Sequence, residues 1–156
     1  MKKILAAIIG IIVVFIIGFF IFQTIKANTA IFSIFNRSSV TINSHKFDLM
    51  TAKSDKEKQV GLSKEKSLSP NSGMIFSFEK PDYYAFWMRD MKFPIDILYI
   101  NKDKIVTIYR NVAPPSSNGA LPLYRPTQPA DTVIELPAGT ADKYNIKEGD
   151  QVKISK

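Results

Sequence analysis

An unbroken apolar run, Ile4 to Phe22, follows Met1, Lys2 and Lys3, and only Gln23 and Thr24 interrupt it before Ile25. A helix over Ile4 to Ile25, rising about 1.5 Å per residue, reaches about 33 Å and covers a hydrocarbon core of about 30 Å. Residues 1–26 are therefore expected to form a transmembrane helix. A cleaved secretory signal has an apolar stretch of about 7–15 residues and small residues at its cleavage site. This run is longer, and Lys26-Ala27-Asn28-Thr29-Ala30 offers no clean small-x-small pair, so an uncleaved anchor is the expectation. Lys2 and Lys3 outnumber the cations just beyond the run, where Lys26 is followed only by Arg37. The bias toward cytoplasmic positive charge puts the amino terminus inside and the rest of the chain outside.

Past a stalk at residues 27–38, residues 39–156 have the usual size of one domain. Three of the 21 basic residues, Lys2, Lys3 and Lys26, lie in or beside the run, and all 14 acids lie beyond it. The outward part thus carries a mild net +4. Its lysines are scattered among acids, as in Lys53, Asp55, Lys56, Glu57 and Lys58, which is the pattern of a solvated surface and not a nucleic-acid footprint. With no cysteine, disulfides, thiolate metal sites and a cysteine nucleophile are excluded. The single histidine, His45 in Asn43-Ser44-His45-Lys46, falls where a hairpin turn is expected, which suits a solvated side chain.

Val40 to Ile42 and Phe47 to Thr51 read as a hairpin around Asn43-Ser44. Ser54-Asp55-Lys56-Glu57 has the form of a capping box, predicting a short helix that ends at Gly61. Strands are predicted at Met74 to Phe78 and Tyr83 to Met88, and the clearest hairpin joins Ile95–Ile100 to Ile105–Arg110 through Asn101 to Lys104. Ala113 to Pro129, with five prolines, reads as a long loop of the kind that is usually functional or disordered. A strand at Thr132 to Leu136, a helical turn at Thr140 to Tyr144 and a last strand at Gln151 to Ile154 complete the pattern. The fold class is mainly β, a small barrel or sandwich of short strands with one or two short helices behind one N-terminal transmembrane helix.

Asp96 is the most pointed side chain. Alternation in Ile95 to Ile100 puts it on a face with Leu98 and Ile100, and an unpaired carboxylate buried there would be costly. With Ile100 opposite Ile105, counting back along both strands sets Asp96 opposite Tyr109, whose hydroxyl is the expected partner. This carboxylate either fixes a loop or binds. Trp87, beside Arg89 and Asp90, packs in the core or, if exposed, offers a flat face for a sugar or ring. Tyr124 and Arg125, on the proline-stiffened loop, could close over a ligand. Asp96 with Glu135 would suit glycoside hydrolysis only at a defined separation. No metal-ligating cluster, phosphate-cradling loop or nucleophile elbow appears, so neither metal nor cofactor is expected.

Ala52, Ser54, Gly61-Leu62, Leu68, Gly73-Met74-Ile75-Phe76, Phe86-Trp87-Met88, Pro94-Ile95-Asp96-Ile97, Val133-Ile134-Glu135, Gly139 and Gly149-Asp150 run in a recognisable order and spacing. Over roughly Thr51 to Ile154 the chain resembles the domain-of-unknown-function family number 192. The Phe-Trp-Met block just before Pro-hydrophobic-Asp is the specific part. The resemblance implies a secreted or membrane-anchored single domain with a mainly β fold and leaves activity open. The chain departs from the family pattern at Ser63, at Asp90-Met91 and in the Pro114 loop, which lacks cysteines that many relatives carry. The functional expectation is a membrane-tethered extracytoplasmic binding or accessory module for a small molecule, a glycan or an envelope protein. The alternative is a cofactor-free hydrolase of envelope polymers using Asp96 or Glu135 as acid or base.

Overall fold

A computed structural model of the chain describes residues 14–21, 23, 37–116, 119 and 121–155. The chain divides into two units, Met1–Asn36 and Arg37–Lys156. In the first, residues 14–21 are helical, and the large side chains from Val14 to Ile21 are exposed. No helix among the described residues is long and apolar enough to cross a membrane. Most of the expected transmembrane segment, residues 1–13, 22 and 24–26, and the stalk at 27–36 lie outside the described residues.

The second unit is one sheet of seven strands with two short helices. Its strands are β1 (Arg37–Ile42), β2 (His45–Ala52), β3 (Ser72–Asp82), β4 (Ile95–Asn101), β5 (Lys104–Val112), β6 (Ala130–Pro137) and β7 (Val152–Ser155). Arg37 and Ser38, read from the sequence as the end of the stalk, are already strand residues. The spatial order is β5-β4-β6-β3-β2-β1-β7, and the sheet curls until its two edge strands meet at one end. There Lys104 bridges Gln151, and the Ile105 amide donates to the Asp150 carbonyl at 3.0 Å. All neighbours are antiparallel except β2 and β3. A parallel pair needs a crossover, and this one carries α1 (Asp55–Val60).

The local signals act as the sequence suggests. Asn43 and Ser44 both have positive φ, 48° and 68°, the conformation that matches a two-residue turn to the right-handed twist of a hairpin. His45, the first residue of β2, is exposed with its ring 4.1 Å from that of Tyr144. At α1 the capping box is complete: Glu57 N–H donates to Ser54 Oγ at 3.2 Å, and Ser54 N–H donates to Glu57 Oε2 at 2.8 Å. Amide donation from Ser54 and Lys53 holds the Glu57 carboxyl below the usual carboxylate range.

Side-chain alternation sorts the core into two layers. The concave face carries Ile42, Phe47, Leu49, Ile75, Leu98 and Ile134, closed by Ala141 of α2 (Thr140–Lys143). The convex face carries Phe76, Ile97, Tyr99 and Val133, covered by Leu62, Met88 and aromatic residues of the connecting segments. Because both faces are covered, β4 is buried from Ile95 to Ile100. Gly73 lets β3 approach β6 closely, since a Cβ there would stand 2.1 Å from the Glu135 carbonyl oxygen.

Two sequence expectations are corrected. Tyr83 to Met88 is not a strand: only Phe86 pairs, in an isolated bridge with Tyr124, and the segment lies over the convex face as irregular cover. Asp96 does not face Tyr109. Ile100 does sit opposite Ile105, but an irregularity at Val106 makes Tyr99 face Thr107, so Ile97 meets Tyr109. One inserted residue shifts every later partner.

Candidate functional site

On the convex face, α1 and the segment after β3 wall a cleft of about 370 Å³, small but within the range of ligand pockets. Phe76, Phe78, Tyr84, Phe86 and Trp87 supply its aromatic lining, and Gly61 and Leu62 continue the wall at the end of α1. Phe78 and Tyr84 stack with centroids 3.7 Å apart, and Phe86 meets Phe76 edge-on at 5.0 Å. Gly61 sits at φ 49°, a conformation that favours glycine, and a Cβ there would stand in ordinary contact with Phe76 at 3.6 Å and Glu135 Oε2 at 4.0 Å.

Glu135 lines the same cleft from β6. It is 5% exposed, and its Oε2 is buried with no hydrogen-bond partner. Burial penalises the charged form and pushes its carboxyl up to about 8. At neutral pH it is therefore mostly a neutral acid, able to donate one hydrogen bond and to accept others. Orphaned buried polar atoms are rare in native proteins. The next phenol inward, Tyr99, is also pushed up by burial, with Tyr109 and Glu135 adding to the effect, and it donates to the Tyr124 carbonyl at 2.7 Å.

The sequence-predicted site residues do not gather in one place. Trp87 and Arg89 line the cleft. Trp87 is 41% exposed, with the Arg89 guanidinium 4.3 Å from its ring centroid. Asp90 is exposed at φ 59° in a tight turn closed by the Met91 amide donating to the Met88 carbonyl, and it is not part of the cleft lining. Neither Tyr124 nor Arg125 is part of the cleft lining. They tie the long loop down: the Tyr124 and Phe86 backbones exchange hydrogen bonds at 2.9 Å, and Arg125 donates to the Tyr83 carbonyl at 3.0 Å. Their role is to brace the segment that carries Phe86 and Trp87. Tyr109 completes the brace by donating to the Arg125 carbonyl at 2.6 Å.

Asp96 is fully buried, and its partners are backbone amides. Asn111 and Gly139 donate to Oδ1 at 2.8 and 3.2 Å, and Ala141 donates to Oδ2 at 2.8 Å. α2 has no side-chain cap of its own, so a carboxylate from β4 does that work. Asp96 pairs with Leu136, whose side chain is in the concave core, whereas Glu135 pairs with Ile97 of the convex core. The two carboxylates thus point to opposite faces of the sheet. They cannot act as a pair across one glycosidic bond. Among the described residues no three His, Asp or Glu side chains converge as a metal site.

The Phe86-Trp87 segment thus covers one curled sheet that carries Asp96 on β4 and Glu135 on β6. Residues 38–154, which include all but the outermost residues of β1 and β7, match the family described as uncharacterized ACR, DUF192. The chain belongs to the DUF192 family. Two crystal structures are similar to it. One is a proposed transcription regulator from Sinorhizobium meliloti 1021, 26% identical with a TM-score of 0.67 over 76% of this chain and 92% of that one. The other is a protein of unknown function from Novosphingobium aromaticivorans DSM 12444, 29% identical with a TM-score of 0.65 over 75% of this chain and 83% of that one. No curated protein matches. In this DUF192 domain sequence reasoning underweighted Glu135 as a lone carboxylate and did not single out Lys58, Phe78 or Tyr84. The signal for Glu135 was present, since it is the one charged residue in Val133-Ile134-Glu135-Leu136 and shares a strand face with Val133.

Proposed function

We propose that this DUF192 domain is an extracytoplasmic binding module, tethered by its N-terminal apolar helix, whose convex-face cleft seats one small ring-bearing molecule. The observation that carries the reading is the buried, partnerless Glu135 oxygen in an aromatic cleft. An orphaned polar group costs roughly 1–3 kcal/mol, and a ligand that takes its hydrogen bond recovers that cost. Aromatic walls favour flat or ring-shaped partners, because ring faces stack and exclude water. Trp87 is the sole tryptophan and stands in the cleft wall, so its fluorescence reports occupancy. Titrating the full chain in detergent micelles with sugars, nucleosides and simple aromatics is expected to give a saturable change in Trp87 emission for at least one class. Glu135→Leu should weaken that binding about tenfold through the lost hydrogen bond. Emission that never saturates with any class would refute the cleft reading.

Membrane tethering is supported by the apolar run from Ile4 to Phe22 and by the exposed, helical, wholly apolar stretch at residues 14–21. Exposed apolar surface of that extent is a mark of an interaction site. The protein is expected to remain with membranes through carbonate extraction. Release into the soluble fraction would sink the tether.

A further inference from the structure

We infer that the occupant of this cleft is a ring-bearing organic anion, its ring between the aromatic walls and its acid group at the mouth against Lys58 and Arg89. The inference rests on the ring-binding reading above and deepens it. Both cations line the cleft, and both are held there by the wall itself. Lys58 Nζ lies 4.8 Å from the Phe78 centroid, and the Arg89 guanidinium 4.3 Å from that of Trp87. Neither joins an ion pair among the described residues, where the salt bridges are Arg37–Asp48 and Arg110–Asp142. Two unneutralised cations positioned over the rings of a cleft are an electrostatic attractor for an anion.

The deep end has the complementary chemistry. Glu135 contributes an uncharged acid there, not a carboxylate, so the interior does not repel an anion. A cationic ligand would meet Lys58 and Arg89 at the mouth and a neutral acid inside, and an uncharged one would leave both cations unused. The titratable groups that share the cleft lining with Glu135 are Asp55 and Lys58 from α1 and Tyr84 and Arg89 from the segment after β3, and Tyr99 of β4 is the phenol its charge acts on; β3 contributes only the rings of Phe76 and Phe78. Asp55 is exposed and is the one other acid in the lining. Ionising Glu135 would put a negative charge under a bound anion and remove its donor hydrogen. Affinity should therefore fall as pH rises through about 8.

The probes are sets matched in ring and differing in charge: benzoate, benzamide and benzylamine for an aromatic ring, galacturonate and galactose for a sugar. Each is titrated into the full chain in detergent micelles, read both by Trp87 emission and by the shift in melting temperature. The acid of one set is expected to bind at least about tenfold more tightly than its uncharged or cationic counterpart near neutral pH. Which set responds distinguishes an aromatic acid from a sugar acid. Lys58→Gln and Arg89→Gln, both surface changes, should each reduce the preference, and the melting shift covers any direct effect of Arg89→Gln on the fluorophore. Wild-type affinity should fall about tenfold per unit above pH 8, and Glu135→Gln should flatten that fall. If benzamide, benzylamine or galactose binds as tightly as its acid, the anion inference is overturned and the ring-binding cleft stands. If no probe of any charge moves either readout, both fall.

Discussion

Glu135→Gln is expected to make the folded protein more stable at pH 8 and to leave its stability at pH 4.5 nearly unchanged. In the fold, burial without a hydrogen-bond partner holds the Glu135 carboxyl near 8, against 4.5 in the ordinary range. The folded protein therefore keeps a proton that the unfolded chain gives up across that window. Where the folded state binds more protons, stability falls as pH rises, by about 1.4 kcal/mol for each pH unit at full effect. Below 4.5 both states are protonated and the contribution is flat; above 8 both are ionised and it is flat again. Across the window the accumulated cost is on the order of 4–5 kcal/mol, a large share of the stability of a domain this size. Glutamine has the same shape and no charge to lose, so the variant removes this pH dependence while leaving that of every other carboxylate. Denaturant unfolding of both proteins, followed by circular dichroism at several pH values, is the measurement. The difference between the two should grow steadily with pH. A difference that is constant across the range would mean that Glu135 is ionised and partnered in the fold.

The same stranded carboxylate shows how far the sequence is legible and where it stops. Local devices read well: the Asn43-Ser44 turn, the Ser54–Glu57 box and the strand alternation each depend on residues within a few positions, and each is found. Alternation applied to Val133 through Leu136 also marks Glu135 as a charge on an apolar face. It does not say that α1 and the Tyr83 to Phe93 segment arch over that face, because the covering residues are set by tertiary packing. That segment was itself misread. Its alternating aromatics imitate a strand, yet they alternate because Phe86 and Met88 face inward as a lid on the sheet. The register of β4 against β5 failed for a smaller reason. The turn was correct, but a bulge at Val106 is invisible to a count that assumes one residue per step. Even so, the requirement that Asp96 have a buried partner followed from the pattern alone.

Asp96→Leu is expected to abolish folding or nearly so, and Asp96→Asn to be tolerated in part. The carboxylate takes three amides, from Asn111, Gly139 and Ala141, which lie 15, 43 and 45 positions along the chain. Two of these residues, Asn111 and Gly139, sit at positive φ, 51° and 80°, so the bonds hold backbone that does not hold itself. They also stitch the end of β5 and the start of α2 to the buried start of β4. Leucine would leave three donors without their acceptor, the Ala141 amide buried and the Asn111 and Gly139 amides partly so, at up to roughly 1–3 kcal/mol each, a total that is a large share of the stability of a small domain. Asparagine keeps one oxygen in place for the Asn111 and Gly139 amides, while its NH₂ opposes the Ala141 amide as donor against donor. One lost bond and that opposition cost roughly 2–3 kcal/mol, which lowers the melting temperature without erasing the transition. The Tyr109 hydroxyl donates to Arg125 and not to Asp96, so Tyr109→Phe should leave the effect of Asp96→Asn unaltered in a double-mutant cycle. Equal loss from Asn and Leu would mean that the charge itself, and not the set of accepted hydrogen bonds, holds β4, β5 and α2 together. Coupling between Tyr109 and Asp96 would restore the register that the bulge at Val106 rules out.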